Sequence, residues 1–203
     1  RIKFKKRLKT NLCRLRIMHQ AGSHGPTYYK RYPKEFQRFA PVCNTEKLNQ
    51  CTGEEIINTY DNTLLYTSQN LADIISLLKN DYPQYNSLLI YVSDHGESLG
   101  EYNIYLHSAP YSIAPKEQKQ IPFFLWADDS VFNALQIDKH CLEETKNTPV
   151  SHDNIFHTLL GISNNACQYT HIKSVRFYKS LPTYVMCQNL YIIHSFLYPR
   201  AFV

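Results

Sequence analysis

LLIYVSDHGESLGE, residues 88–101, runs an apolar stretch straight into an acid, an imidazole and a glycine, with two more carboxylates, Glu97 and Glu101, close behind. Ser87–Ser93 (SLLIYVS) is too short for a helix and apolar at almost every position, so it reads as a strand covered on both faces, as in a parallel sheet. Asp94 and His95 then stand at its carboxyl end, where open α/β sheets gather their ligands. Two readings meet there. Asp and Gly are ordinary turn residues; carboxylate oxygen and imidazole nitrogen are also good zinc ligands, and a catalytic site keeps one position open.

The flanking sequence supplies the rest of an α/β pattern. Thr52 and Glu55 have capping-box spacing. Ile56, Tyr60, Leu64, Leu71, Ile75 and Leu78 follow on one helical face, predicting a helix over 53–80 that Pro83 stops. IPFFLWA, 121–127, reads as a second buried strand after the loop 102–120. Ser151 caps a further helix, HDNIFHTLLGI, with Asp153 in its favourable first turn and Gly161 near its end. Strands alternating with helices predict α/β architecture. At 203 residues the chain is one or two domains long.

Charge is unevenly spread along the chain. Residues 1–16 hold eight Lys/Arg and no acid, no acid follows Asp153, and 17–167 carries ten bases against all 17 acids. The basic head reads either as a patch for nucleic acid or anionic lipid, or as a solvated arm outside the domain. No window reaches the roughly 18 apolar residues of a spanning helix, and no apolar segment of a signal peptide follows the basic start. Of six cysteines, only Cys43 and Cys51 have an informative spacing: CNTEKLNQC is a polar loop that a disulfide could close, or two unrelated thiols. Cys13, Cys141, Cys167 and Cys187 cannot be paired from spacing. Two more histidines sit in loops. His24 lies in GSHGP, whose glycines let backbone approach a ligand, and His107 lies in IYLHSAPY.

GSHGPTYYKRYPKEF, INTYDNTLLYT, YVSDHGESLGEYNIYLHSAPY and SHDNIFHTLLG, in that order from about His19 to Cys167, resemble the C-terminal part of the catalytic domain of phosphoethanolamine–lipid A transferases. These are zinc-dependent inner-membrane enzymes of the sulfatase/alkaline-phosphatase superfamily, some of which confer polymyxin resistance. The resemblance implies a partial sulfatase-like sandwich, a mostly parallel central sheet flanked by helices and missing its first strands. It implies that Asp94 and His95 ligate zinc, that His24 and His107 are catalytic groups beside the phosphoethanolamine, and that Glu97 and Ser98 support the ligands. It also implies a Cys43–Cys51 disulfide. The activity implied is transfer of phosphoethanolamine from phosphatidylethanolamine to lipid A through a threonine intermediate, at the periplasmic face of the inner membrane, with no nucleic-acid partner. The wider superfamily leaves sulfuric ester hydrolysis or phosphoglycerol transfer as an alternative, and a small basic binding module as another.

The match has limits. The family's threonine nucleophile, its first glutamate ligand and its membrane helices precede GSHGP, and nothing in 1–18 resembles them. The expectation is therefore a disrupted copy, inactive alone: a basic segment (1–18), the family-like part (19–167) and a non-matching tail (168–203). With central strands absent, the Ser87–Ser93 strand is expected to carry an unpaired edge, an aggregation hazard.

Overall fold

The computed structural model describes residues 14–135, 137–162 and, for the backbone path alone, 188–195. The basic segment before residue 14, most of the tail, and Cys13, Cys167 and Cys187 lie outside the described residues. Among the described residues no helix is long and apolar enough to cross a membrane.

The strand at the centre of the sequence is also central in space. β2 (Asn86–Ser93) is buried from Ser87 to Ser93 because its alternate side chains enter two different cores. Leu89 and Tyr91 pack with Ile56, Tyr60, Leu64, Leu71, Ile74 and Leu78 of α1 (Gly53–Asp81). Leu88 and Ile90 point the other way, into Val131 of α3 (Asp129–Ala134), Leu135 just after it, Ile137, and Ile162 of α5 (Asp153–Ile162). Helices thus cover both faces of the sheet, the three-layer α/β arrangement that the sequence predicts. The short helices α2 (Lys116–Lys119) and α4 (Lys139–Thr145) complete the described α-helices.

α1 forms where its sequence says it should. The Thr52 hydroxyl accepts from Glu55 N–H, Glu55 Oε2 accepts from Thr52 N–H at 2.7 Å, and the helix ends two residues before Pro83. Its buried stripe differs in one residue: Ile74 rather than Ile75 is fully covered, because the stripe steps by three after Leu71 before stepping by four to Leu78. Polar residues Thr59 and Asn62 on the same face are not packing errors, since both tie a loop to the helix. Asn62 accepts from the Arg38 and Phe39 N–H groups and donates to the Phe39 carbonyl. Thr59 accepts from Cys43 N–H at 2.7 Å and donates to the Glu55 carbonyl.

The sheet order is β1–β6–β2–β5, with β1 (Arg14–His19), β5 (Phe123–Ala127) and β6 (Gln188–Ser195). Two expectations are corrected here. The β2 strand has no unpaired edge: β6, from the tail, lies parallel to it over Asn86–Ser93, and β5 pairs on its other side. The strand over 121–127 is neither buried on both faces nor parallel. β5 is the antiparallel edge, with Phe123 and Phe124 each 37% exposed. A parallel return needs a long crossover, usually a helix, and between β2 and β5 the chain offers only a three-residue 3-10 turn and the four residues of α2, so it doubles back instead. The other two pairings, β1–β6 and β2–β6, are parallel.

Cys43 and Cys51 form a disulfide across eight residues, with their Cα atoms 5.7 Å apart. It fixes the loop that enters α1, whose Cys43 N–H is already held by Thr59. Replacing both cysteines by alanine is expected to lower stability by about 2–3 kcal/mol, read as a lower urea midpoint at unchanged slope; an unchanged midpoint would show that the hydrogen bonds to α1 hold the loop by themselves.

Candidate active site

The site assembles at the carboxyl end of β2, from the turn and hairpin of residues 94–107 and from the GSHGP loop some seventy residues earlier in the sequence. Asp94, His95 and Gly96 leave the strand directly. Ser93 holds this turn at its root, donating from its hydroxyl to the His95 carbonyl at 2.7 Å, while Gly96 N–H reaches the Gln118 carbonyl at 3.0 Å. The approach to the Glu117–Gln118 backbone is so close that a Cβ on residue 96 would lie 1.9 Å from the Glu117 carbonyl oxygen. Glycine is the residue that fits there. Next comes a hairpin of two-residue strands, β3 (Ser98–Leu99) against β4 (Tyr105–Leu106), which turns the chain back so that His107 lies over Glu97. Tyr102 and Asn103 in its turn, and Leu106 at the end of β4, have positive φ. For a leucine this costs on the order of 1–2 kcal/mol, held in place by the packing around it.

The other loop is GSHGP. Thr63 Oγ1 lies 2.5 Å from Ser23 Oγ and 2.6 Å from the Tyr60 carbonyl. A carbonyl only accepts, so Thr63 gives its single proton to Tyr60 and Ser23 donates to Thr63. α1 thereby anchors the residue before His24, and Arg31 Nε donates to the His24 carbonyl from the other side. Gly25 threads between groups that leave no room for a side chain: a Cβ there would stand 2.6 Å from the Tyr28 hydroxyl and 2.8 Å from Glu97 Oε1.

Glu97 is at the centre, 2% exposed. Tyr28 donates to its Oε1 at 2.6 Å and His107 Nδ1 donates to its Oε2 at 2.8 Å. Burial pushes the Glu97 carboxyl up to about 7, against the opposing pull of the Tyr28 hydrogen bond and of His95 and His24, with Asp94 adding to the rise. Burial likewise raises the Tyr28 phenol far above its ordinary value, so it stays a donor. Burial and the neighbouring His24 lower His107, with Asp94 opposing.

The three histidine rings converge. His95 and His107 stack with centroids 3.9 Å apart, and His24 meets His107 edge-on at 5.1 Å. His95 Nδ1 is 2.7 Å from the Gly96 carbonyl and His24 Nδ1 is 2.6 Å from the Gly25 carbonyl, so Nδ1 carries the proton in both and Nε2 is the basic nitrogen of the neutral ring. His107, bonded through Nδ1 to a carboxylate, is set the same way. Ligand atoms of His95, Glu97 and His107 lie within 4.8 Å of one another. Asp94 Oδ2 stands 3.7 Å from His95 Nε2. This donor set, imidazole nitrogens with their other nitrogen engaged and carboxylate oxygens beside them, fits a divalent transition metal.

Of the residues the sequence singles out, His24, Asp94, His95, Glu97 and His107 are brought together. Ser98 is not among them: its buried hydroxyl accepts from Gln118 Nε2 at 2.9 Å. Cys43 and Cys51 lie in the loop entering α1. Two contributors carry no signal of their own in the sequence. Tyr28 is one of several tyrosines in TYYKRY, and His152 is one more loop histidine, yet its Nε2 donates to the Ser93 carbonyl at 2.7 Å.

Replacing Tyr28 with phenylalanine removes the donor to Glu97 Oε1 and keeps the ring that meets Tyr60 edge-on. The expected loss is about 1–3 kcal/mol of stability, because a buried carboxyl loses a partner that water cannot replace; a thermal melt unchanged within error would show that Tyr28 contributes only its ring.

Residues 14–165 match the family described as Sulfatase. Over 154 residues the chain is 47% identical to phosphoethanolamine transferase EptA of Escherichia coli K12, covering 75% of this chain and 28% of that protein. Among solved structures, the C-terminal periplasmic domain of phosphoethanolamine transferase EptC from Campylobacter jejuni is 53% identical with a TM-score of 0.63, covering 70% of this chain and 44% of that one. The soluble domain of lipooligosaccharide phosphoethanolamine transferase A from Neisseria meningitidis is 46% identical with a TM-score of 0.67, covering 70% and 42%. The chain thus spans little more than a quarter of the length of the EptA relative.

Proposed function

The chain belongs to the sulfatase family, and from that premise we propose that its histidine–carboxylate cluster is the zinc- and phosphate-handling part of a phosphoethanolamine transferase. The donor is then phosphatidylethanolamine and the acceptor a lipid A phosphate. The observation that carries this reading is the cluster at the carboxyl end of β2, where ligand atoms of His95, Glu97 and His107 lie within 4.8 Å of one another, Asp94 stands beside His95, and the GSHGP loop brings His24 against His107. Relatives named for phosphoethanolamine transfer, at 47% and 53% identity, supply the chemistry.

Asp94 and His95 would hold the zinc, with His107 and Glu97 within reach of the same point. Bound zinc supplies a Lewis acid that neutralises charge on the phosphoryl oxygens and lowers the pKa of a nucleophilic hydroxyl. The chain's own groups do the rest. His24 and His107 present basic Nε2 atoms that, when protonated, hold a phosphoryl oxygen or give a proton to the departing diacylglycerol oxygen. Glu97 keeps the His107 ring in the tautomer that does this. Tyr28, Leu106 and the hairpin keep Glu97 dry, which strengthens each of these interactions. The threonine nucleophile and the remaining glutamate ligand have no match in residues 14–162, so group transfer requires residues beyond those, and the chain alone is expected to bind without turning over. The Cys43–Cys51 disulfide suits an oxidising compartment, consistent with action at the periplasmic face of the inner membrane.

The test is zinc content of the refolded, dialysed chain beside His95→Ala. One zinc per chain in the wild type, lost in the variant, is the expected result. Absence of zinc from the wild type at micromolar free metal would sink the assignment.

A further inference from the structure

We infer that His152, at the start of α5, is a positioning residue for the Asp94–His95 turn, acting through Ser93. Ser93 is the last residue of β2, fully buried, and every polar atom it has is engaged. Its N–H is directed at the Pro122 carbonyl at 3.4 Å, its hydroxyl donates to the His95 carbonyl at 2.7 Å, and its own carbonyl accepts from His152 Nε2 at 2.7 Å. The first of these bonds is long and the other two are short. The height of the Asp94–His95 peptide above the sheet is therefore set from two sides: by the Ser93 hydroxyl below the turn, and by the imidazole of the residue just before α5, 59 residues away in sequence.

His152 can hold this place because α5 is itself fixed at both ends. The Ser151 hydroxyl accepts from Asp153 N–H, Asn154 Oδ1 accepts from Ser151 N–H, and Ile162 at the far end is buried against Leu88 and Ile90. The sheet face that α5 covers is the one opposite α1, so the turn is gripped by both layers: α1 holds the His24 loop through Thr63 and Ser23, and α5 holds the His95 loop through His152 and Ser93. Without the His152 donor, the turn keeps its tie to Gln118 through Gly96 but loses its link to α5. An outer hydrogen bond of this kind typically changes metal affinity by about 10–100-fold when removed. The affinity part of this inference rests on the zinc reading above; the positioning part does not.

The experiment compares wild type, His152→Ala and His152→Gln in the whole chain, with amide hydrogen exchange in the absence of metal and zinc affinity by chelator competition. The glutamine side chain retains an N–H donor. In His152→Ala, exchange at Gly96 N–H is expected to speed up on the order of tenfold while the amides inside α5 are unchanged, because only a local opening becomes easier. Zinc affinity is expected to fall about 10–100-fold, and His152→Gln to recover most of both. Unchanged Gly96 exchange in His152→Ala overturns the inference, and so does acceleration spread equally through α5, which would mark a role in folding alone. A wild type that takes up no zinc would overturn the functional reading instead, and the exchange data would still decide the role of His152.

Discussion

A carboxylate that is 2% exposed cannot sit in a protein without partners, and the arrangement around Glu97 follows from that requirement. One oxygen takes the Tyr28 hydroxyl and the other takes His107. To deliver the first, the GSHGP loop must fold over the end of β2, with a glycine at 25 because nothing larger passes the Tyr28 hydroxyl and Glu97. To deliver the second, the chain must reverse within ten residues of Glu97, and the β3–β4 hairpin accepts positive φ at Leu106 to do so. The histidine cluster is a consequence of satisfying one buried acid.

That constraint is met on a platform built for rigidity. β2 has no solvent-facing side, so neither of its cores can shift without the other. α1 contributes more than its apolar stripe. Thr59, Asn62 and Thr63 are buried on its inner face, and each makes at least one hydrogen bond to a loop, including the one that carries His24. Buried polar groups of this kind specify one arrangement, because any other leaves them unpaired.

Much of this was legible in the residues. The Thr52/Glu55 box, Pro83 and the helical spacing located α1 to within a residue at each end, since capping and termination are local chemistry. The apolar run Ser87–Ser93 located β2. His24, Asp94 and His95 are marked by their glycine-flanked settings, and Glu97 and His107 by the resemblance of whole motifs. The readings that differed were non-local. The direction of β5 depends on whether the intervening chain can cross the sheet. The pairing of β2 depends on β6, about a hundred residues later and without turn signals around it.

The sequence by itself determined the α/β class, the positions of α1 and β2, and the family whose chemistry the histidines suit, because periodicity, caps and ordered motifs are written in consecutive residues. Only the tertiary structure decided that Tyr28 and His107 share one buried carboxylate, that Ser98 turns away toward Gln118, and that His152 reaches Ser93 from the turn before α5. Those are contacts across 69, 10, 20 and 59 residues. Whether two polar groups that far apart in sequence meet is settled by the packing of the layers between them, and no local pattern encodes that.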